Sequence, residues 1–399
     1  GLVNNGCAPE NTLRGFPLAI FLLTTLIFSI MGLIKRPNEL TVKTTLSALI
    51  YGQPGMGKAQ PLYCNILTPT GFKKLSDLSV GDEVMGHDGK VQKVLGIYPQ
   101  GIRPVYRIMT NDSAITYCDE EHIWTVRSST GNSRKAGFKN VTLKEMIAKG
   151  ISCPLSPSRQ STTRKAIPRY EIPVAEAMDY PEKEYEVNPY ILGVLIGDGS
   201  LTGNVAMFSN PDMDNQILEE VKMLLPSVYS IRKNEAPQCP QYSIVLRGNG
   251  EGYIQKIKRL GLNVHSGDKF IPSEYKLGSR EQRLALLRGL MDTDGHANKN
   301  RVSFSTSSRI LADDFVHLVL SLGGIAKAVG YPREDKGIEY RVTVNMSECP
   351  FTLERKAAQW KPVTPSRYII DAEKIEDSEC VCIKVSNEDE LYITDDFIV

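Results

Sequence analysis

Three groups of residues have the types and spacing that chemistry needs. The first is "GQPGMGK", where Gly52 is followed after four residues by Gly57 and Lys58. This spacing makes a loop whose backbone N–H groups cradle phosphate while the lysine reaches it, so Gly52, Gly55, Gly57 and Lys58 are candidate ATP-binding residues. The pattern calls next for Ser or Thr to hold Mg2+, but Ala59 stands there, and Pro61 falls where a helix should begin. The second group is a pair of apolar stretches ending in acid-glycine, "ILGVLIGDG" (191–199) and "LRGLMDTDG" (287–295). Gly193, Gly197 and Gly289 lie at helical spacing, so two helix backbones can approach closely and deliver Asp198 and Asp294 side by side. Two adjacent carboxylates suit Mg2+, which positions water and stabilises a phosphoryl leaving oxygen. A buried helix ending in an Asp-Gly turn explains one copy, but packing gives no reason for two. The third group is dispersed: His122 with Trp124, and Cys380 with Cys382. A thiol and an imidazole can serve as nucleophile and general acid. Core cysteines, packing aromatics or an incomplete Cys-x-Cys metal pair are the plainer readings of the same residues.

The elements that must position these groups change along the chain. Its 399 residues suffice for two or three domains, and a net charge of +1 argues neither for nor against a polyanionic partner. Eight scattered cysteines form no CxxC pair, so neither a disulfide framework nor a structural zinc site is expected, and reduced thiols point to the cytoplasm. Residues 16–34 carry no charge and are long enough to span a bilayer. The preferred reading is that Met31 starts the protein and residues 1–30 are upstream translation, which makes a membrane partner unexpected. Alternating apolar and polar positions between Gly, Asp-Gly and Pro-Gln-Gly turns mark 59–155 as strands, and 156–187 reads as a Pro/Ser-rich linker. Residues 188–350 show the same helix–strand–helix–strand–strand order twice, which predicts two similar subdomains facing each other. Strands return over 355–399. A β module is therefore split by an insert.

The acid-glycine stretches resemble the paired motifs of LAGLIDADG homing endonucleases, and "GDKFIPSEY" resembles that family's lysine block. The resemblance implies metal-binding roles for Asp198 and Asp294, turn roles at the metal site for Gly199 and Gly295, and an assisting role for Lys269. It also implies Mg2+ as cofactor and double-stranded DNA, the uninterrupted host gene, as partner. Charge gives no independent support, since 188–350 holds 19 Lys/Arg against 18 Asp/Glu. Any basic saddle has to come from segregation on strands, for example at Arg232, Lys233 and Arg247.

The outer segments resemble the Hint fold of inteins in "ILTPTGFKKLSDLSVGDEVMGHDGK" (66–90), "CDEEHIWTV" (118–126) and "CVCIKV…ELYITDDFIV". The expected fold class is thus mixed: an all-β Hint horseshoe split by an α+β LAGLIDADG insert with two pseudo-symmetric repeats. Block spacing puts the first intein residue at Ala59, leaving 1–58 as host sequence, and argues against the rival nucleophile Cys64. Alanine cannot attack its own preceding carbonyl. A smaller intein class starts with such a residue and uses a cysteine near the C-terminal blocks with a tryptophan two residues after the block histidine. The resemblance then gives Cys382 the attack on the Lys58 carbonyl, His122 the proton donation, and Trp124 the shielding of the site. A terminal Asn and a downstream nucleophile would lie beyond Val399, so thioester formation or cleavage at 58/59 is expected, not full splicing. Host sequences act in cis, and ATP concerns only the reassembled P-loop host. Two other readings stay open: a membrane-anchored P-loop ATPase with an accessory DNA-binding domain, which Ala59 contradicts, and a splicing-dead remnant that binds DNA.

Overall fold

A computed structural model describes residues 58–129, 137–161, 166–234, 239–298, 301–334 and 337–399, all within one compact unit, Pro54–Val399. Gly52, Gly55, Gly57 and the apolar stretch 16–34 lie outside the described residues.

The first part of the chain is built of strands: β1 (Gln60–Pro61), β2 (Asn65–Thr68), β3 (Gly71–Lys74), β4 (Glu83–Met85), β5 (Val91–Thr110), β6 (Ile115–Asp119), β7 (Ile123–Ser128) and β8 (Lys139–Thr142). A capping box at Thr142 starts the short helix α1 (Leu143–Lys149), and β9 (Ser152–Pro154), β10 (Ala166–Pro168) and β11 (Tyr170–Ile172) follow. The last long strand, β20 (Arg367–Val385), comes back to this part and runs against β5. The resulting eight-stranded sheet has the order β4-β5-β20-β11-β7-β8, with β1 on β20 and β6 on β5. Register shifts along the β5–β20 pair let two strands of about twenty residues curl instead of lying flat.

The stretch 156–187, read as a linker, contains a strand of this sheet. Tyr170, Glu171 and Ile172 of β11 are buried, and β11 pairs with both β7 and β20. Its Pro/Ser-rich flanks hid it, and a three-residue strand shows no period that a sequence can display.

The insert repeats itself. Its first half is α2 (Pro189–Asp198), β12 (Gly199–Ser200), β13 (Met207–Ser209), α3 (Asn215–Leu224), β14 (Tyr229–Asn234), β15 (Gln241–Leu246) and α4 (Tyr253–Arg259). The second half is α5 (Arg280–Asp294), β16 (Gly295–Asn298), β17 (Arg301–Thr306), α6 (Arg309–Ser321), β18 (Ile325–Arg333) and β19 (Gly337–Asn345), followed by the single-turn helix α7 (Glu354–Ala357). The two four-stranded sheets, β12-β13-β15-β14 and β16-β17-β19-β18, have the same topology. The fold class expected from the sequence is the one observed. One continuous core fills the insert: α2 is apolar all round and buried from Pro189 to Ile196, as a helix between two layers must be.

Candidate functional sites

The junction expected at 58/59 is held by β1 and β20. Gln60 pairs with Val381 and Pro61 with Cys380, and carrying that antiparallel register one residue back sets Ala59 opposite Cys382. Ala59, Val105, Cys380 and Cys382 form one buried cluster. His122 and Trp124 approach from the turn before β7 and from β7 itself. The His122 Nδ1 lies 3.3 Å from the Ala59 carbonyl oxygen, which also accepts the Asp119 N–H at 3.1 Å. These groups thus converge on the carbonyl just after the expected scissile amide. Burial pushes the His122 imidazole down to about 4, with the Lys58 charge adding to the effect and the bond to Ala59 opposing it, so the ring is neutral at pH 7. Trp124 is buried, with its ring centroid 5.4 Å from that of His122, and packs with Cys118, Val126 and Leu143.

Cys64 sits differently. A turn bond from its N–H to the Pro61 carbonyl folds it behind β1, where its Sγ lies 3.6 Å from the Tyr117 carbonyl. Burial first, then the Asp395 charge, raises its thiol far above the ordinary value, which removes thiolate. Asp119 is a residue that sequence reasoning passed over. It is 1% exposed, its Oδ2 takes an ion pair from Arg103 at 2.6 Å, and its Oδ1 has no hydrogen-bond partner. The position three residues before His122 was the available signal. Lys58 lines the same cavity as His122 and Trp124, and its Nζ donates to the Glu390 carbonyl at 2.7 Å and to that of Asp389 at 3.4 Å.

The second site lies where α2 and α5 end. A Cβ on Gly193 would collide with the Leu286 carbonyl and stand 2.9 Å from the Gly289 Cα, so only glycine lets the helices cross this closely. A Cβ on Gly197 would meet the side chain of Thr293 and stand 3.3 Å from Asp294 Oδ2. The crossing brings Asp198 and Asp294 together. Burial, then the Asp198 charge, raises the Asp294 carboxyl to about 7, while burial also raises Asp198. Neither carboxylate has a hydrogen bond or ion pair among the described residues. Asp292, two residues earlier on α5, instead braces the fold, accepting from Tyr190 Oη and from the N–H groups of Thr352 and Leu353.

Gly199 and Gly295 are extended, with φ near −82°, and open β12 and β16. Each is glycine because a Cβ would strike the last helical turn, at Leu195 and at Met291. Lys269 is 5% exposed and donates to the carbonyls of Gly197 at 2.8 Å and Gly199 at 2.9 Å. Lys356, which sequence reasoning also missed, does the same for α5. Its Nζ donates to the carbonyls of Met291, Asp292 and Thr293 at 2.6–3.0 Å. Each buried ammonium faces the negative end of one helix. The repeat held the signal, since Lys269 lies 72 residues past Gly197 and Lys356 lies 65 past Met291.

Between the helix ends and the outward face of β17–β19 is a cavity of about 370 Å3, lined by Lys269, Asp294, Ser305, Thr306, Arg333 and Glu339 among others. Arg301, Arg333 and Arg341 are exposed on this side. The expected trio of Arg232, Lys233 and Arg247 makes no single patch. Arg232 and Lys233 are successive on β14 and point to opposite faces, and Arg247 lies beyond β15.

Residues 281–350 match the LAGLIDADG-like domain family. The match is to that stretch alone. It begins within α5, carries Asp294 and ends after β19. Over a longer range, the chain is 28% identical across 371 residues to the replicative DNA helicase DnaB of Mycobacterium intracellulare, covering 86% of this chain and 58% of the helicase. The chain therefore spans little more than half of that relative. Among solved structures, the gp41-1 intein is similar at 28% identity over 22% of this chain and 61% of its own, with a TM-score of 0.18. Mesophilic variants of the homing endonuclease I-DmoI are similar at 13% identity over 43% of this chain and 94% of theirs, with a TM-score of 0.32. The family match thus falls in the second half of the insert, which carries α5, Asp294 and β16–β19.

Proposed function

We propose that this chain is a self-splicing element that cuts at the Lys58–Ala59 bond through Cys382 and also carries a site-specific DNA endonuclease. The observation that supports it best is the β1–β20 pairing, which sets a buried cysteine opposite an alanine that cannot itself be a nucleophile. The Cys382 sulfur bonds to the Lys58 carbonyl carbon, and the Lys58–Ala59 C–N bond breaks. The thiol proton ends on the Ala59 amine, with neutral His122 passing a proton through its ring. Trp124 keeps water from the thioester. A downstream nucleophile and a terminal Asn would complete splicing. With the insert removed and Lys58 followed by a hydroxyl residue, a P-loop would be restored in the host, in keeping with the helicase relative.

In the insert, Asp198 stands exposed and Asp294 half-buried at the two helix ends, and among the described residues neither has an ion pair, a donor set that fits a divalent cation such as Mg2+. Bound there, the ion would supply charge to the attacking water and the leaving oxygen. Lys269 and Lys356 fix the two helix ends and place positive charge beside the cleavage site. Exposed Arg301, Arg333 and Arg341 would meet the phosphate backbone of double-stranded DNA.

The two activities separate by mutation. Cys382→Ala should abolish thiol-induced cleavage at 58/59, read by mass spectrometry, and leave DNA cutting intact. Asp198→Asn and Asp294→Asn should each abolish Mg2+-dependent cutting of DNA carrying the uninterrupted host sequence. Cleavage at 58/59 lost in Cys64→Ala but retained in Cys382→Ala would make Cys64 the nucleophile.

A further inference from the structure

The Lys58 side chain is captured by the chain it is to be cut from. Its ammonium donates to the carbonyls of Glu390 and Asp389, which lie on the loop leading out of β20. That loop is braced before the lysine arrives. Asp389 Oδ1 accepts from the Leu391 N–H at 3.0 Å and from Asn387 Nδ2 at 2.8 Å, and Asn387 Nδ2 also donates to the Leu391 carbonyl at 2.8 Å. His87 Nδ1 lies 3.2 Å from the other Asp389 oxygen without hydrogen-bond geometry. Glu390 adopts φ +55°, a left-handed conformation that non-glycine residues rarely take. The lysine lies in a cavity of about 410 Å3 that Glu388, Asp389 and Glu390 line on one side and Ile123, Thr125 and Asn140 on the other.

We propose that the 388–390 loop is a recognition subsite for a cationic side chain on the residue preceding the cut, and that the captured cation stabilises the Cys382 thiolate. The proposal rests on 58/59 being the junction. Two arguments favour a built subsite over a chance surface contact. The carbonyls that meet the ammonium belong to a loop fixed by its own hydrogen bonds, and the acidic side chains beside them carry the complementary charge. The second argument is electrostatic. Burial lowers the Lys58 pKa, and the groups opposing that fall are Glu390, Asp389 and Cys382. Interaction between two charges is mutual, so an anion at Cys382 that stabilises the Lys58 cation is stabilised equally in return. The substrate residue thus helps to ionise the thiol that attacks its own carbonyl. It acts as a positioning residue and is not itself transformed.

The test is thiol-induced cleavage at 58/59 in the full chain, followed by mass spectrometry from pH 6 to 9. The charged and titratable groups facing the ammonium are Glu388, Asp389, Glu390, Cys382 and His122. Lys58→Gln should slow cleavage at pH 7 by about tenfold and move the alkaline rise of the rate upward by about one pH unit, while Lys58→Arg keeps most of the rate. The exposed double variant E388K/E390K should slow the native junction and restore cleavage to Lys58→Glu. A native rate and an unshifted profile in Lys58→Gln overturn the subsite while leaving the thioester reading intact. No cleavage in the unsubstituted chain, or cleavage that survives Cys382→Ala, overturns both.

Discussion

Buried ionisable groups make the sharpest predictions at the scale of single residues. The Asp294 carboxyl titrates at about 7 in the fold, against about 4 in an unfolded chain, so the folded state holds its proton more tightly. Its contribution to metal-free stability is therefore full below about pH 4 and falls as pH climbs to about 7. Asp294→Asn should remove this slope, so that its melting temperature in chelator rises relative to the unsubstituted chain from pH 4 to 8. A pH-independent difference would contradict the assignment. His317 carries the opposite sign. It is buried on α6 between Phe72 and Phe397, its Nε2 has no hydrogen-bond partner, and its pKa falls to about 3. Stability is full above about pH 6.5 and is lost as pH falls toward 3. His317→Phe should flatten the acid limb and stabilise by about 1 kcal/mol, because an unsatisfied polar atom leaves the interior. Asp198 and Asp294 were picked out by residue type and spacing, and His122 and Cys382 by family resemblance. Lys356 and Asp119 were not, since each matters through backbone atoms distant in sequence.

Helix pairing decides the geometry of the proposed metal site. Gly193 and Gly289 face each other across α2 and α5, and any side chain at either meets backbone atoms, not the yielding end of a side chain. Gly193→Ala should therefore cost about 1–3 kcal/mol and abolish DNA cutting by spreading the two aspartates, with circular dichroism confirming that the helices persist. Glycine spacing in the sequence foretold the close approach. The reason for Gly199 and Gly295 was not foretold, because the clash is with the helix's own last turn and appears only once the strand exit is placed. Strand β11 escaped notice because tertiary pairing, not local pattern, makes it a strand.

Across the whole molecule, the insert and the β module share a core. Leu320 and Ile325 of the insert are buried with Leu67, Met85, Met178, Tyr180, Ile393 and Phe397 of the outer segments. Arg283 on α5, with no exposed surface, donates to the carbonyls of Gly278, Ser321 and Met178 and so ties the segment before α2 to the second half of the insert. Joining the outer segments directly, without 188–350, should lower the melting temperature and cause aggregation by uncovering this apolar surface. Polar substitutions at Met178 and Tyr180 should recover solubility, which light scattering would register. The split was visible in the sequence as a change of texture, but the shared core depends on which faces meet.

Closure of the junction also sets a clock. Lys58 and the Glu390 carbonyl that holds it are 332 residues apart, and among the described residues β1 pairs with β20 alone. At synthesis rates of about 5–20 residues per second, roughly 20–60 s pass before the nucleophile and its clamp exist. The repeated insert, rich in local helix contacts, has emerged whole by then and folds ahead of the long-range strand pair. The cleavage proposed at 58/59 is therefore postponed until residue 390 has left the ribosome, and the nascent chain keeps its upstream segment attached meanwhile.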